Sequence, residues 1–238
     1  MGKPPTLALF WGEEEFLLRQ AALELLAAQD LRATEVEAGE WQGGETSDLA
    51  TPSLWGEPRA LLVTGCQALP ETGLRELRSY LEAPSPDAVL ALTLVSRART
   101  TPPLGKIVQS VRGLVRHVAV RRQDLPKWIL DRGRMRGVRL SGPAATALMA
   151  AVGDDPAALD QGVEQLATAF AGASVGPDQV RSQFQGLGEQ RVWDLCDRAF
   201  SGRRSEALVV LRSLLDGRDD PLLILGGIAS RVRDLVRV

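Results

Sequence analysis

Apolar positions along this chain fall into two textures. Up to about residue 121, short continuous apolar runs alternate with stretches of helical spacing. Thr6-Leu-Ala-Leu-Phe-Trp11 reads as a first buried strand, and Gly12 punctuates it. Residues 13–28 then put Phe16, Leu17, Ala21, Leu25 and Ala28 on one helical face. Glu13, Glu14 and Glu15 fall in the first turn of that helix, where the dipole favours negative charge. Residues 34–38 alternate weakly as a second strand, and a polar Gly-rich stretch, 39–47, follows. Residues 59–64 carry Ala-Leu-Leu-Val as a third strand, 71–82 a helix, and 88–95 the strongest strand signal in the chain. A breaker-rich loop at 99–105, a helix at 106–112 and a last strand at 114–120 complete this part. Strands alternating with helices predict a parallel sheet covered on both faces. The strands read as apolar throughout, as doubly covered strands should.

Beyond residue 121 only helical spacing remains. Helices are expected at 126–136, 142–152, 156–171 and 177–184. Ser141 before Gly142, and Asp154-Asp155 before Pro156, supply N-terminal punctuation. Gly186-Leu-Gly188 reads as a linker, and helices at 192–200, 205–215 and 222–238 form a second helical group. The expected division is an α/β domain over 1–121, a helical domain over 122–186 and the start of another over 187–238. The final helix carries Leu222-Leu-Ile-Leu225 and Ile228, which need more apolar partners than three helices supply. The expectation is therefore a chain that stops inside its third domain.

Composition narrows the function classes. Of 238 residues 45% are apolar and 24% charged, an ordinary globular balance. Cys66 and Cys196 are the only cysteines, which excludes a disulfide framework or a CxxC metal site and fits a reducing cytoplasm. No apolar run approaches the roughly 18–20 residues of a membrane span, and the N-terminus lacks a secretory pattern. One histidine, His117, leaves little room for His-based catalysis or a His-rich metal site. Neither a cofactor nor a metal is implied.

The net charge of −2 conceals an asymmetry: −9 over residues 1–96, +10 over 97–139 and −3 over 140–238. Arg supplies 25 of the 28 basic residues, which suits planar phosphate or carboxylate recognition but also follows from genomic base composition. The basic stretch contains Arg112, Arg116, Arg121, Arg122, Lys127, Arg132, Arg134, Arg136 and Arg139. It reads either as a band for phosphates or an acidic protein surface, or as a solvated face balancing the acidic first part.

A sheet of this kind makes a phosphate cradle expected after its first strand. A P-loop needs Gly-x-x-x-x-Gly-Lys-Ser/Thr, because backbone N–H groups and the Lys neutralise phosphate. The turn in this chain is Gly12-Glu-Glu-Glu15, three carboxylates with no Lys. The third strand ends Val63-Thr-Gly-Cys-Gln67, with no acidic pair to hold Mg²⁺. Nucleotide hydrolysis is disfavoured on both counts. His117, the two cysteines and Asp154-Asp155 read as structural, the aspartates as a helix cap. Pro52-Ser-Leu-Trp-Gly56, between the Gly-rich stretch and a strand, reads as a core plug or as an exposed anchor for a partner pocket.

Several stretches together resemble the delta subunit of the bacterial DNA polymerase III clamp loader. They are Phe10-Trp-Gly-Glu-Glu-Glu-Phe-Leu17, Ser53-Leu-Trp-Gly-Glu-Pro-Arg59, Leu81-Glu-Ala-Pro84, Leu125-Pro-Lys-Trp-Ile129 and Gly137-Val-Arg-Leu-Ser141, followed by Val152-Gly-Asp-Asp155, Leu159 with Glu164-Gln-Leu166, Val192-Trp-Asp-Leu-Cys-Asp197, residues 207–215 and Asp220-Pro-Leu222. Their order and spacing span nearly the whole chain. The resemblance implies an AAA+-like first domain that has lost its nucleotide site, a helical lid-like domain and a partial helical collar domain. It implies a subunit with no catalytic site of its own, which binds and opens the sliding clamp through the hydrophobic pair Leu54 and Trp55, Trp standing where the family has Phe. It also implies ATP-binding and delta-prime-like partner subunits packed through the collar, and primed DNA or a neighbouring subunit against Arg112, Arg116, Arg121, Arg122, Arg132, Arg134 and Arg136. An AAA+-type ATPase, or a DNA-binding module using residues 97–139, is the competing expectation.

Overall fold

A computed structural model describes residues 5–50, 59–184, 187–216 and 221–236. These fall into two compact units, one ending at Ala119 and one beginning at Val120.

The first unit is built on five parallel strands: β1 (Leu7–Gly12), β2 (Ala33–Glu37), β3 (Arg59–Thr64), β4 (Ala88–Val95) and β5 (Leu114–His117). Their order across the sheet is β2-β3-β4-β1-β5, so β4 lies between β3 and β1. Parallel neighbours need crossover connections, which helices supply. These are α1 (Glu15–Ala27), the one-turn α2 (Ser47–Ala50), α3 (Glu71–Glu82) and α4 (Pro103–Ser110).

The central strands alternate between two apolar faces. Ala8, Phe10, Ala60, Leu62, Val89 and Ala91 pack with Leu18, Ala22 and Leu26 of α1. Leu7, Leu9, Leu61, Val63, Leu90 and Leu92 face the other way, onto Leu77 and Leu81 of α3 and Val108 of α4. The result is three layers with two cores, as expected from strands apolar at every position. Truncating a fully buried core residue such as Leu92 removes about 2–5 kcal/mol.

The edge strands differ from that expectation. β2 is half exposed, and β5 leaves Leu114, Arg116 and His117 exposed. A strand at the sheet edge has one neighbour, so its side chains need not be apolar on both faces. β5 also stops at His117, short of residue 120. α4 begins at Pro103 because proline suits the first helical turn, where its missing N–H costs nothing.

The second unit contains α5 (Leu125–Met135), α6 (Gly142–Val152), α7 (Pro156–Ala169) and α8 (Pro177–Gln183), then α9 (Leu187–Phe200), α10 (Arg204–Asp216) and α11 (Pro221–Val236). Two strands of two residues each, β6 (Arg139–Leu140) and β7 (Ser174–Val175), pair in parallel. They are too short to leave a period in the sequence. The first four helices bury Ile129, Leu148, Leu159, Val163 and Phe184 together. A Cβ on Gly162 would lie 2.9 Å from Leu148, so the glycine permits close approach of α6 and α7. Ser141 and Asp155 cap α6 and α7, accepting from the backbone N–H of Ala144 and Ala158.

A separate cluster joins Val192, Leu195 and Cys196 of α9 to Ala207 and Leu214 of α10 and Ile224 of α11. Leu187 and Gly188, expected in a linker, are the first two residues of α9. Leu208, Val209 and Leu215 on α10, and Leu225, Val232 and Leu235 on α11, are exposed. Among the described residues no helix is long and apolar enough to cross a membrane.

Candidate functional site

The turn after β1 is two residues long: β1 ends at Gly12 and α1 begins at Glu15. Glu14 takes an extended conformation at the helix N-terminus and makes no side-chain cap. Glu13, Glu14 and Glu15 all point to solvent. The backbone closes tightly around Gly12. Ser96 N–H donates to the Gly12 carbonyl at 2.7 Å, and Val118 N–H donates to the Trp11 carbonyl at 2.9 Å. A Cβ on Gly12 would lie 2.2 Å from the Val118 carbonyl oxygen. A phosphate at this turn would meet three carboxylates and a carbonyl oxygen, where a cradle needs converging N–H groups. Arg97 lies 3.9 Å from Glu13, but both are highly exposed, so the pair contributes little.

The end of β3 is occupied in a different way. Gly65 adopts a left-handed conformation (φ 66°), and its N–H donates to the buried Thr93 hydroxyl at 3.1 Å. Burial pushes the adjacent Cys66 thiol up to about 12, which makes it an inert core side chain. Among the described residues no group of three His, Cys, Asp or Glu is placed to hold a metal.

The Gly-rich stretch folds into a cradle filled by the chain's own carboxylates. Gly43 and Gly44 take positive φ, which turns successive N–H groups inward. Glu45 accepts from the N–H of Gln42 at 2.6 Å and of Gly43 at 2.8 Å. Glu76, on α3, accepts from Gly44 N–H at 2.9 Å, Thr46 N–H at 2.9 Å, Thr46 Oγ1 at 2.7 Å and Trp41 Nε1 at 3.1 Å. Burial acts to raise the Glu76 carboxyl, but the hydrogen bonds from Gly44, Thr46 and Trp41 outweigh it and hold the group below the usual carboxylate range. The sequence carries no signal for Glu76, because it reads as one more polar residue on an amphipathic helix.

Leu54 and Trp55 lie outside the described residues. The chain on either side is well anchored. Leu49 of α2 is buried in the core beneath α3, and Arg59 opens β3 with its N–H on the Asp87 carbonyl.

The basic stretch divides between the two units. In the first, Arg112 and Arg116 are exposed, and Arg112 holds a left-handed backbone (φ 62°). His117 packs against Trp11 with ring centroids 4.4 Å apart and the planes tilted by 49°. In the second, Arg121 pairs with Asp124, Arg122 with Asp154 and Arg134 with Asp131, all near the surface. Arg132 is an interior residue: its Nε donates to Asp160 at 2.7 Å, and its guanidinium lies 5.7 Å from the Trp128 ring. Arg136 donates to the other Asp160 oxygen at 2.5 Å. Arg132 and Arg136 are thus turned inward onto one buried carboxylate. Lys127 and Arg139 are exposed.

The fold is similar to that of the Bacillus subtilis DNA clamp loader delta protein YqeN, with a TM-score of 0.59 and 17% identity over 96% of this chain and 72% of that one. It is also similar to the Thermotoga maritima RuvB Holliday junction branch migration motor, with a TM-score of 0.52 and 14% identity over 85% of this chain and 71% of that one. At these identities the likeness is one of fold, an α/β AAA+-like sheet domain followed by helices. No protein-family model and no curated protein matches the sequence.

Proposed function

We propose that this chain is a non-catalytic subunit of a DNA polymerase clamp loader, of the delta type, which binds and opens the sliding clamp in the bacterial cytoplasm. The observation that carries the reading is the turn after β1. On an AAA+-like sheet, the phosphate position holds a two-residue acidic turn closed by the Val118 carbonyl. A scaffold built in this way is suited to binding a protein partner. The fold likeness to a clamp loader delta protein supports the same reading. The proposed division is a clamp-binding AAA+-like domain over 1–121, a lid-like domain over 122–186 and part of a collar over 187–238.

Leu54 and Trp55 are the proposed clamp-binding pair. A Leu–Trp pair seated in an apolar pocket supplies the kind of anchor that dominates interface energetics. Opening requires differential affinity. A ring held 1:99 against opening needs about 5.5 kcal/mol of preference for the open form to become 99:1 open. Contacts made only to the relaxed, open-interface shape supply that preference without hydrolysis. ATP would then act on partner subunits packed through the collar. The test is binding of the purified chain to the sliding clamp of its own organism, alongside the Leu54→Ala/Trp55→Ala double variant. The expected result is binding by the first and none by a folded double variant; equal binding by both would refute the assignment.

Each unit offers a further contact of its own, Arg112 and Arg116 on the first and Lys127 and Arg139 on the second; these are exposed and, among the described residues, have no carboxylate partner. These suit DNA phosphates or an acidic neighbouring subunit better than the inward-turned Arg132. A salt titration of DNA binding decides between them: a steep fall in affinity with salt assigns DNA, and no DNA binding at low salt assigns protein.

A further inference from the structure

We propose that the outer edge of β5 is a docking site for an extended, acidic segment of a partner protein, which adds a strand to the sheet of the first unit. The inference deepens the contact assigned to Arg112 and Arg116 above, rests on that contact and does not depend on clamp binding.

β5 is the last strand of the sheet, with β1 as its one neighbour. The hydrogen bond from Val118 N–H to the Trp11 carbonyl fixes which way its backbone groups point. In a parallel pair alternate residues bond the same neighbour, so Leu114, Arg116 and Val118 are turned to β1. The N–H and C=O groups of Val115 and His117 are turned outward, and no described residue bonds them.

The side chains beside this edge mix apolar and basic groups. Leu114 lies opposite Ala8 and Arg116 opposite Phe10, which places both on the sheet face that carries α1. Leu114 is 38% exposed. Arg116 is exposed and, among the described residues, has no carboxylate partner. Arg112, also exposed, follows α4 with a left-handed backbone (φ 62°), where glycine is the usual residue. It sets a second cation at the start of the strand.

The chemistry of the edge selects among occupants. A DNA backbone presents acceptors only, so it leaves the outward carbonyls unmatched and makes no use of Leu114. A second copy pairing through the same edge would bring Arg112 and Arg116 against their own equivalents. A second copy offering its β2 edge would bring Glu37, but Glu35 is already held by Arg19 at 2.6 and 2.7 Å. An acidic strand matches the donors, the acceptors, the apolar residue and both cations.

The probe is the fluorescein-labelled peptide Thr-Glu-Thr-Val-Thr-Glu-Thr, which reads the same in both directions and sets Glu, Val and Glu on one face to meet Arg112, Leu114 and Arg116. Fluorescence anisotropy measures its binding to the wild-type chain and to Arg112→Glu/Arg116→Glu. A copy N-methylated at its three central amides keeps the charges and cannot pair as a strand. We expect saturable binding, weakened at least about tenfold by the charge reversal and at least about tenfold by N-methylation. Amide hydrogen exchange should slow at Val115 and His117 when peptide is added, and stay unchanged at Arg116, which is turned to β1. The N-methylated copy needs no variant, so the test stands even where charge reversal perturbs the fold. No binding at millimolar peptide, equal binding of the N-methylated copy, or unchanged exchange at Val115 and His117 overturns the proposal. Binding of duplex DNA in place of the peptide, lost on charge reversal, assigns the arginines to phosphate and overturns it. Self-association of the chain through this edge, with no peptide binding, assigns it to a second copy and overturns it as well. A chain that binds the peptide but not the clamp supports this inference and overturns the clamp reading.

Discussion

Replacing Asp160 by asparagine should be among the most destabilising single changes in the second unit. The Asp160 side chain is 7% exposed and lies between two arginines, accepting from Arg132 Nε at 2.7 Å and Arg136 Nη2 at 2.5 Å. The Arg132 side chain is 8% exposed, whereas that of Arg136 is 23% exposed. Removing one partner of a buried pair costs about 3–5 kcal/mol, chiefly because a charge is left in a poorly solvated place. Arg136 can turn to water and recover part of its solvation. Arg132 keeps its contact with the Trp128 face, which contributes about 0.5–1 kcal/mol. The net loss should be about 3 kcal/mol. For a unit of this size that corresponds to a fall in Tm of roughly 10–15 °C. Urea unfolding followed by Trp128 fluorescence, in a background with the other tryptophans replaced by phenylalanine, reads the change directly. The same physics predicts that Asp160→Leu combined with Arg132→Met recovers most of the loss, since apolar isosteres need no solvation. A loss below about 1 kcal/mol for Asp160→Asn would refute the reasoning, because the carboxylate would then be replaceable by a neutral amide.

Three further outcomes follow from the first unit. Gly12→Ala should cost about 3 kcal/mol or more, because its Cβ would press against the Val118 carbonyl at 2.2 Å; thermal unfolding near wild type would mean that the closed turn yields easily. The native Cys66 thiol, pushed up to about 12 by burial, should resist a thiol reagent at pH 8 and react only on unfolding, which a timed colorimetric assay with and without urea measures. Glu76 should make the first unit acid-sensitive. Its folded carboxyl lies below the ordinary 4.5, so its contribution is fully present above that pH and is lost as pH falls through the folded value. Urea midpoints of wild type and Glu76→Gln should therefore converge as pH is lowered below about 4.5, and a constant gap would exclude this linkage.

Much of this architecture was legible from local pattern. The bounds of β3, α3, β4 and α6 follow from runs of apolar residues closed by Gly, Pro or Ser, because those signals are local in the chain. The acidic turn at Glu13-Glu-Glu15 was equally plain, since three consecutive carboxylates need no tertiary context to oppose a phosphate. The basic character of residues 97–139 was also visible, but which of its arginines face water was not. Arg132 turns inward because Asp160, 28 residues further on, is brought beside it by the packing of α5 on α7.

Sequence alone determined the order of the five sheet strands and of the helices other than the one-turn α2, the two-faced apolar character of the central strands and the unsuitability of the first turn for nucleotide. Tertiary structure decided the strand order β2-β3-β4-β1-β5, the exposure of the edge strands and the partners of the buried charges. It also decided that a glutamate on α3 gathers a loop some 30 residues earlier in the chain. Periodicity records only what a residue's near neighbours require. Burial and charge pairing depend on segments that meet only when the chain is folded, so no local pattern announces them.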